Sequence, residues 1–267
     1  MSLTLGPALL FCPADRPERF AGALQKADAV ILDLEDAVLP AGKAAARENI
    51  IDADLDPARV IVRVNAPDSA EFGKDLEALA RTPFRTVMVA KSEDPSALDV
   101  FGSEYALVAL CETALGVHRA GDIAAHHRTV ALMWGAEDLV ASLRGMSSRF
   151  ADGRYRDVAR QARAQVLLAA GAHGRAAIDA VHLDIDDLDG LAAEAADAVA
   201  SGFSATACIH PKQVAVIRDA YRPDPASVEW ARAVLVAAEG ERGVFRYEGR
   251  MIDEPVLRHA RAIVSRG

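Results

Sequence analysis

Two acidic residues follow stretches that have the character of buried strands. Residues 132–139 read LMWGAEDL, so that apolar residues and a glycine lead to Glu137 and Asp138, and residues 109–117 read ALCETALGV, with Glu112 directly after the apolar run. Consecutive parallel strands lie about 4.8 Å apart, and carboxylates that close repel each other unless a proton or a cation intervenes. We predict that Glu112 and Asp138 hold Mg²⁺, or alternatively Mn²⁺, because such a cation uses few protein carboxylates and keeps positions open for substrate.

Other polar residues end predicted strands, and each has two interpretations. A guanidinium at Arg63 needs an anionic partner in a barrel mouth; the partner is either a substrate carboxylate or carbonyl oxygen, or else Asp33 or Glu35. Lys91 could form a Schiff base with a ketone, although the acid pair favours metal chemistry. Asp138 could instead cap the following helix.

These residues are positioned by eight short apolar runs without polar alternation, as is typical of parallel strands covered on both faces. The predicted strands are 8–12, 29–34, 60–65, 86–90, 106–111, 130–134, 178–183 and 204–209. Amphipathic segments separate most of them, so the sequence predicts an α/β protein with a closed (β/α)8 TIM barrel, whose catalytic residues lie at the C-terminal strand ends. The alternative, an open doubly wound sheet, would usually carry a glycine-rich phosphate turn where this chain has CPADRPERF.

Two segments depart from the regular spacing. Residues 144–157, RGMSSRFADGRYRD, are predicted to form a mobile loop over the site. The barrel is predicted to occupy residues 1–222, followed by a helical C-terminal extension at 223–267 that contacts a neighbouring subunit. Strand seven is predicted to end at Asp184 and strand eight at His210, where a structural hydrogen bond is expected.

The composition describes a globular protein with a large core, since 51% of the 267 residues are hydrophobic and 26% are charged. The formal net charge of −9 gives no clustered basic surface for nucleic acid. With no membrane-spanning apolar run and no recognisable leader, we predict a cytoplasmic protein that binds neither nucleic acid nor membrane. Its isolated cysteines, Cys12, Cys111 and Cys208, are predicted to be buried free thiols.

Several motifs, taken together and in order, resemble one family. They are LLFCPADRPERF, AVILDLEDAV, VIVRVNAP, CETALGV, LMWGAEDL, AIDAVHLDIDDLDGL, CIHPKQV and EGRMIDEPV. The chain resembles the citrate lyase β-subunit family, which belongs with the malyl-CoA and citramalyl-CoA lyases among the HpcH/HpaI-type aldolases. The resemblance implies a (β/α)8 barrel assembled as a trimer or a multiple of it.

The resemblance also implies roles for particular residues. Glu112 and Asp138 are expected to hold Mg²⁺, and Arg63 to bind the oxo-acid part of the substrate. Asp253 is expected to act as acid/base, reaching in relatives into a neighbouring subunit's site. Read without the resemblance, Asp253 could equally cap the last helix.

The implied reaction is reversible carbon–carbon cleavage of a 3-hydroxyacyl-CoA thioester into an acyl-CoA and a 2-oxo acid, with thioester hydrolysis as a further possibility. Alternatives are a metal-dependent aldolase for free hydroxy-oxo acids, and a catalytic or non-catalytic β subunit of a citrate lyase complex. Backbone N–H groups are expected to stabilise an oxyanion, acids to orient metal-bound water, and arginines either to contact CoA phosphates or to lie solvated on the first helix. The residues concerned are Gly135, Ala136 and Glu137 for the first role, Glu35 and Asp36 for the second, and Arg16 and Arg19 for the third.

Overall fold

The computed structural model describes residues 5–241 and 243–266. Eight parallel strands close into a barrel in chain order, with the first strand paired to the eighth. The strands are β1 (Ala8–Pro13), β2 (Ala29–Asp33), β3 (Val60–Val64), β4 (Thr86–Val89), β5 (Ala106–Cys111), β6 (Thr129–Trp134), β7 (Ala176–Asp179) and β8 (Ala205–Cys208). The predicted TIM barrel is therefore confirmed, and the open sheet is excluded.

Helices cover the outside of the barrel. They are α1 (Phe20–Lys26), α2 (Lys43–Ile51), α3 (Phe72–Leu79), α4 (Ala114–His118), α5 (Ala120–Ala125), α6 (Ala136–Ser142), α7 (Asp157–Ala172), α8 (Leu188–Ser201) and α9 (Pro211–Tyr221). The connection after β4 is a 3-10 helix, Pro95–Val100, which Asp94 caps by accepting a hydrogen bond from the Ser96 N–H. The first residue of that turn is a proline, which lacks the N–H that a helix start leaves unused.

The core lies both inside the barrel and between its strands and helices. Every residue of β2 and of β6 is buried, as the unbroken apolar runs require when both faces are covered. Leu9, Ile31, Ile61, Met88 and Met133 belong to one buried cluster. This packing fixes the strand ends that carry the polar residues.

The predicted bounds of β7 are wrong, whereas those of the other seven strands agree within one residue. The strand ends at Asp179, not near Leu183, so Asp184 follows it in a loop instead of ending it. Val181 packs against the barrel core from this loop, and Leu183 is 49% exposed. The apolar pattern thus continues beyond the last ladder position and prolonged the predicted strand.

The chain divides into two compact units, Met1–Ile217 and Arg218–Gly267, with the division inside α9. The second unit contains α10 (Pro225–Ala237), the antiparallel hairpin of β9 (Phe245–Tyr247) and β10 (Arg250–Ile252), and α11 (Glu254–Arg266). Glu248 and Gly249 form the two-residue hairpin turn with φ of 45° and 80°, the backbone that tight hairpins of this hand require. None of the described helices is long and apolar enough to cross a membrane.

Candidate metal and substrate site

The two acids of the predicted metal site meet at the C-terminal ends of β5 and β6. Cys111 and Trp134 are paired in the β5–β6 ladder, so the residues that follow them, Glu112 and Gly135, lie next to each other. Glu112 is buried, with 3% of its surface exposed, while the Asp138 side chain is 34% exposed. One predicted ligand is thus held in the barrel mouth, and the other is partly exposed.

Asp138 does not cap α6. That helix begins at Ala136, its N-cap is Gly135, and no side chain makes a capping hydrogen bond. Asp138 lies in the first helical turn instead, where the helix dipole favours a negative charge. The capping interpretation is therefore wrong, and the carboxylate stays available to a cation.

Burial governs the charge on Glu112. Burial, together with the nearby Asp138 carboxylate, raises the pKa of this carboxyl to about 8 against the opposing effects of Arg63 and Lys91. A nearby cation stabilises the ionised form of a carboxyl group that burial and a neighbouring negative charge disfavour. Two carboxylate groups, one buried and one at the opening, form the donor set that Mg²⁺ or Mn²⁺ takes in proteins. The residues present fit a hard divalent cation.

Arg63 is held as a rigid fork at the end of β3. Its Nε and Nη2 donate to the two carboxylate oxygens of Asp33 at 2.7 and 2.6 Å, and its Nη1 lies 3.1 Å from Glu35 Oε2. The guanidinium carbon stands 4.8 Å from the centre of the Phe11 ring. These contacts confirm the interpretation in which Asp33 and Glu35 are anionic partners of Arg63. Because a guanidinium has five N–H groups, three such contacts leave two for a substrate anion.

Lys91 lies among carboxylates. Its ammonium contacts Glu35, lies 3.1 Å from Asp36 Oδ2 and lies 3.4 Å from Asp138 Oδ1. Burial by itself would lower the pKa of Lys91, but the bond to Glu35 and the surrounding acids outweigh burial and hold it above its ordinary value. A firmly protonated amine is not a nucleophile, so the Schiff-base alternative loses support.

Glu35 contacts both the Arg63 guanidinium and the Lys91 ammonium, and Asp36 contacts the Lys91 ammonium. Burial raises the pKa of Glu35 above its ordinary value despite Arg63 and Lys91. Burial also acts to raise the pKa of Asp36, but the hydrogen bond to Lys91 and the charges of Lys91 and Arg63 together outweigh it and lower that pKa. The Asp36 N–H also donates to Glu35 Oε2 at 3.0 Å. Both acids lie close enough to the site for their predicted role in orienting metal-bound water, which stays a prediction.

The remaining predicted residues are less closely tied to this centre. Glu137 accepts a 2.6 Å hydrogen bond from the Ser148 hydroxyl. Arg16 and Arg19 are solvent-exposed beside their neighbours in the chain, Asp15 and Glu18, with separations of 3.6 and 3.9 Å. Their contacts to CoA stay a prediction.

Asp253 belongs to the second compact unit and comes directly before α11. Its Oδ1 accepts a hydrogen bond from the Val256 N–H at 3.2 Å, and the Leu257 N–H donates to its carbonyl oxygen. This is the helix-capping geometry that the sequence allowed as an alternative. The acid/base role of Asp253 stays a prediction.

A polar network around β7 was not predicted. Asp179 accepts a 2.6 Å hydrogen bond from Trp134 Nε1 and is gripped by the Arg163 guanidinium. Once the true end of β7 is known, an aspartate at that strand end is the signal for this network. The prediction missed it because the strand was extended beyond Asp179.

The loop that follows α6 is pinned by side chains. Arg149 binds the Glu194 carboxylate and lies 3.7 Å from the centre of the Tyr155 ring. His182 Nδ1 lies 2.9 Å from the same Glu194 carboxylate. Ser148, almost fully buried, adds the bond to Glu137. Contacts of Ser148 and Arg149 therefore join to α6 and α8 the segment that the sequence predicted to be mobile.

The remaining sequence expectations concern cysteines and one histidine. Cys12, Cys111 and Cys208 are free and buried, as predicted. His210 Nδ1 accepts a 3.2 Å hydrogen bond from the Lys212 N–H, which is the structural role expected of it.

Comparison with known proteins identifies close relatives. Residues 8–211 match the family described as HpcH/HpaI aldolase/citrate lyase. A citrate lyase subunit beta-like protein of Mycobacterium tuberculosis is 55% identical over 261 residues, covering 98% of this chain and 95% of the relative. The mitochondrial citramalyl-CoA lyase of Rattus norvegicus is 30% identical over 272 residues, covering 90% and 79%.

A solved structure of similar sequence has the same fold. The M. tuberculosis protein CitE, crystallised in complex with magnesium, acetoacetate and coenzyme A, superposes with a TM-score of 0.92 at 55% identity. The match covers 99% of this chain and 98% of that one.

Proposed function

The chain belongs to the HpcH/HpaI aldolase/citrate lyase family, and from this premise we propose that it is a Mg²⁺-dependent carbon–carbon lyase acting on a 3-hydroxyacyl-CoA thioester. The products of cleavage are an acyl-CoA and a 2-oxo acid. The observation that carries the proposal is the placement of Glu112 and Asp138 just beyond two neighbouring strands, where Lys91 contacts both and the anchored Arg63 guanidinium is close to Glu112. The CitE structure that contains magnesium, acetoacetate and coenzyme A supports the ligand classes.

Glu112 and Asp138 are the residues that would hold the cation. When bound there, Mg²⁺ supplies Lewis-acid stabilisation of negative charge on a substrate oxygen. Glu112 brings a buried carboxylate whose position is fixed by the 3.1 Å hydrogen bond from the Lys91 N–H. Asp138 brings a partly exposed carboxylate that substrate and solvent can approach.

Arg63 binds the anionic oxo-acid part of the substrate. Its contacts with Asp33 and Glu35 immobilise the guanidinium before substrate arrives, so little side-chain freedom is lost on binding. The two N–H groups left free suit a carboxylate or an enolate oxygen. The backbone N–H groups of residues 135–137 are proposed as further donors to developing charge.

Asp253 is proposed to move the proton at the α-carbon of the thioester. In the cleavage direction the Asp253 carboxylate accepts the proton of the substrate hydroxyl as the carbon–carbon bond breaks, which leaves the carbonyl of the oxo acid and the enolate of the acyl-CoA. Asp253 then supplies the proton that converts this enolate to the acyl-CoA. We propose that the residue acts within a homo-oligomer, from a neighbouring subunit, with Arg16 and Arg19 contacting the CoA phosphates.

The test is a mass-spectrometric turnover assay with Mg²⁺, offering acetyl-CoA or propionyl-CoA together with glyoxylate or pyruvate. The expected result is a new hydroxyacyl-CoA, absent after chelation and in Glu112→Ala and Asp138→Ala proteins, while exposed Asp54→Ala retains it. A free hydroxy acid in place of the thioester would reveal an added thioesterase step. No product from any pair, with turnover of free hydroxy-oxo acids instead, would replace the proposal by the aldolase alternative.

A further inference from the structure

Lys91 touches both proposed metal ligands by different groups. Its backbone N–H donates to Glu112 Oε1 at 3.1 Å, and its ammonium lies 3.4 Å from Asp138 Oδ1. The residue follows β4, the strand next to β5 in the barrel. Its two polar ends therefore reach one proposed ligand that follows β5 and another in the first turn of α6.

The backbone of Lys91 is strained. Its φ is 46°, in the left-handed region that residues with a side chain rarely adopt. Such conformations persist where the surroundings impose them and cluster at functional sites. Here the strained residue is the one whose N–H contacts Glu112.

The Lys91 ammonium is shared by several acids. Glu35 is buried and in direct contact with it, Asp36 lies 3.1 Å away, and Asp138 lies 3.4 Å away. The Lys91 side chain is only 29% exposed, so water screens these charges incompletely. One positive charge thus offsets the repulsion among three carboxylates, one of which is a proposed metal ligand.

We propose that Lys91 is a positioning residue that competes with the divalent cation and sets the affinity of the site for Mg²⁺. This inference rests on the proposed function, since it takes Glu112 and Asp138 as the ligands. An ammonium and a cation that share the Asp138 carboxylate repel each other, and the repulsion is strong in a half-buried setting. The lysine therefore stabilises the acids when no divalent cation is bound, and it weakens the binding of that cation.

A simple structural brace predicts the opposite sign. If Lys91 only held the acids in place, its removal would spread them and weaken Mg²⁺ binding. If Lys91 competes, its removal frees negative charge for the cation and tightens binding. The direction of the change in affinity therefore separates the two roles.

The experiment is calorimetric titration of chelator-treated protein with Mg²⁺, together with thermal unfolding with and without the ion. Lys91→Met keeps the chain length and the N–H to Glu112 but removes the charge; it is expected to bind Mg²⁺ about tenfold more tightly. Its Tm without Mg²⁺ is expected to fall, so that the rise in Tm on adding Mg²⁺ becomes larger than in the wild type. Lys91→Arg, which keeps the charge, and Lys74→Met, which removes an exposed lysine from α3, are expected to bind as the wild type does.

Two results would overturn the inference, and only one of them would also refute the proposed function. Unchanged or weaker Mg²⁺ binding by Lys91→Met would refute competition. If the wild type still binds Mg²⁺ and Glu112→Ala abolishes that binding, the proposed metal site would remain supported. Absence of Mg²⁺ binding by the wild-type protein would refute both this inference and the proposed function.

Discussion

Gly135 and Glu112 stand side by side at the ends of neighbouring strands, so close that a Cβ on Gly135 would lie 2.8 Å from Glu112 Oε2 and 2.9 Å from Glu112 Cβ. The backbone of Gly135 is extended, with φ of −131°, which any residue can adopt. The glycine is therefore required by the side chain of its neighbour, not by its own conformation. A proposed metal ligand occupies the space that a side chain at position 135 would need.

We predict that Gly135→Ala displaces the Glu112 carboxylate and lowers Mg²⁺ affinity by about tenfold or more, the scale on which loss of ligand orientation acts. Calorimetric titration measures it. The matched control is Gly121→Ala in α5, where an added Cβ meets nothing within 4 Å; it should bind Mg²⁺ normally. Wild-type affinity in Gly135→Ala would show that Glu112 is not a ligand or that the strand end yields freely.

A second prediction concerns Asp33, whose fully buried carboxylate accepts two bonds from Arg63 and others from the Glu35 and Ala37 N–H groups. Asp33→Asn leaves Arg63 without its main counter-charge, and removing one partner of a buried ion pair costs about 3–5 kcal/mol. Urea unfolding should show a loss of this order, and KM for the oxo acid should rise because the fork is no longer fixed.

The control for this variant is Asp54→Asn, at an exposed position. Its unfolding free energy should stay within about 0.5 kcal/mol of the wild type. Equal stability of Asp33→Asn and Asp54→Asn would mean that Arg63 does not depend on Asp33.

How stability varies with pH is expected to depend on His182. The hydrogen bond to Glu194 raises the pKa of this imidazole above its ordinary value, outweighing burial, which lowers it. A raised pKa in the folded state adds stability that is fully present below the unfolded value of about 6.5 and is lost as pH rises through the folded value. The stability advantage of wild type over His182→Gln should therefore be larger at about pH 5.5 than at about pH 9.

Chemical denaturation at both pH values measures this difference. Glu194→Gln keeps the histidine but removes its partner, and should lose the same pH-dependent stability. An advantage that grows with rising pH would contradict the assigned ion pair.

The loop that follows α6 should be ordered by Arg149. Because Arg149 binds Glu194 and covers the Tyr155 ring, Arg149→Ala is expected to speed amide hydrogen exchange in residues 144–156 by about tenfold or more. Arg154→Ala is the control, since Arg154 is exposed and pairs with the nearby Asp152. Fast exchange of this segment in the wild type would instead favour the mobile loop that the sequence suggested.

The sequence was most informative where a charged residue ends or follows a buried strand. Glu112, Asp138 and Arg63 each come after, or end, an apolar run without alternation, and parallel strands bring such positions to one rim. Because neighbouring strands end on the same rim, the proximity of Glu112 and Asp138 could be predicted. Seven strands were located within one residue for this reason.

Other features depend on contacts between distant segments. Trp134 and Asp179 are joined across 45 positions, and no local pattern indicates such a bond. The left-handed backbone of Lys91 is equally invisible, because lysine carries no signature of positive φ. The acids around Lys91 also come from distant parts of the chain. The sequence therefore allowed Lys91 as a Schiff-base nucleophile, whereas these acids keep its amine charged.

The most direct test of the account is the rate of carbon–carbon cleavage of the preferred 3-hydroxyacyl-CoA by wild-type and Glu112→Gln proteins, each with Mg²⁺ and after chelation. We predict that chelation abolishes wild-type cleavage, that added Mg²⁺ restores it, and that Glu112→Gln is slower by about a hundredfold or more. Cleavage by Glu112→Gln at the wild-type rate, or full wild-type turnover after chelation, would contradict the assignment of this site.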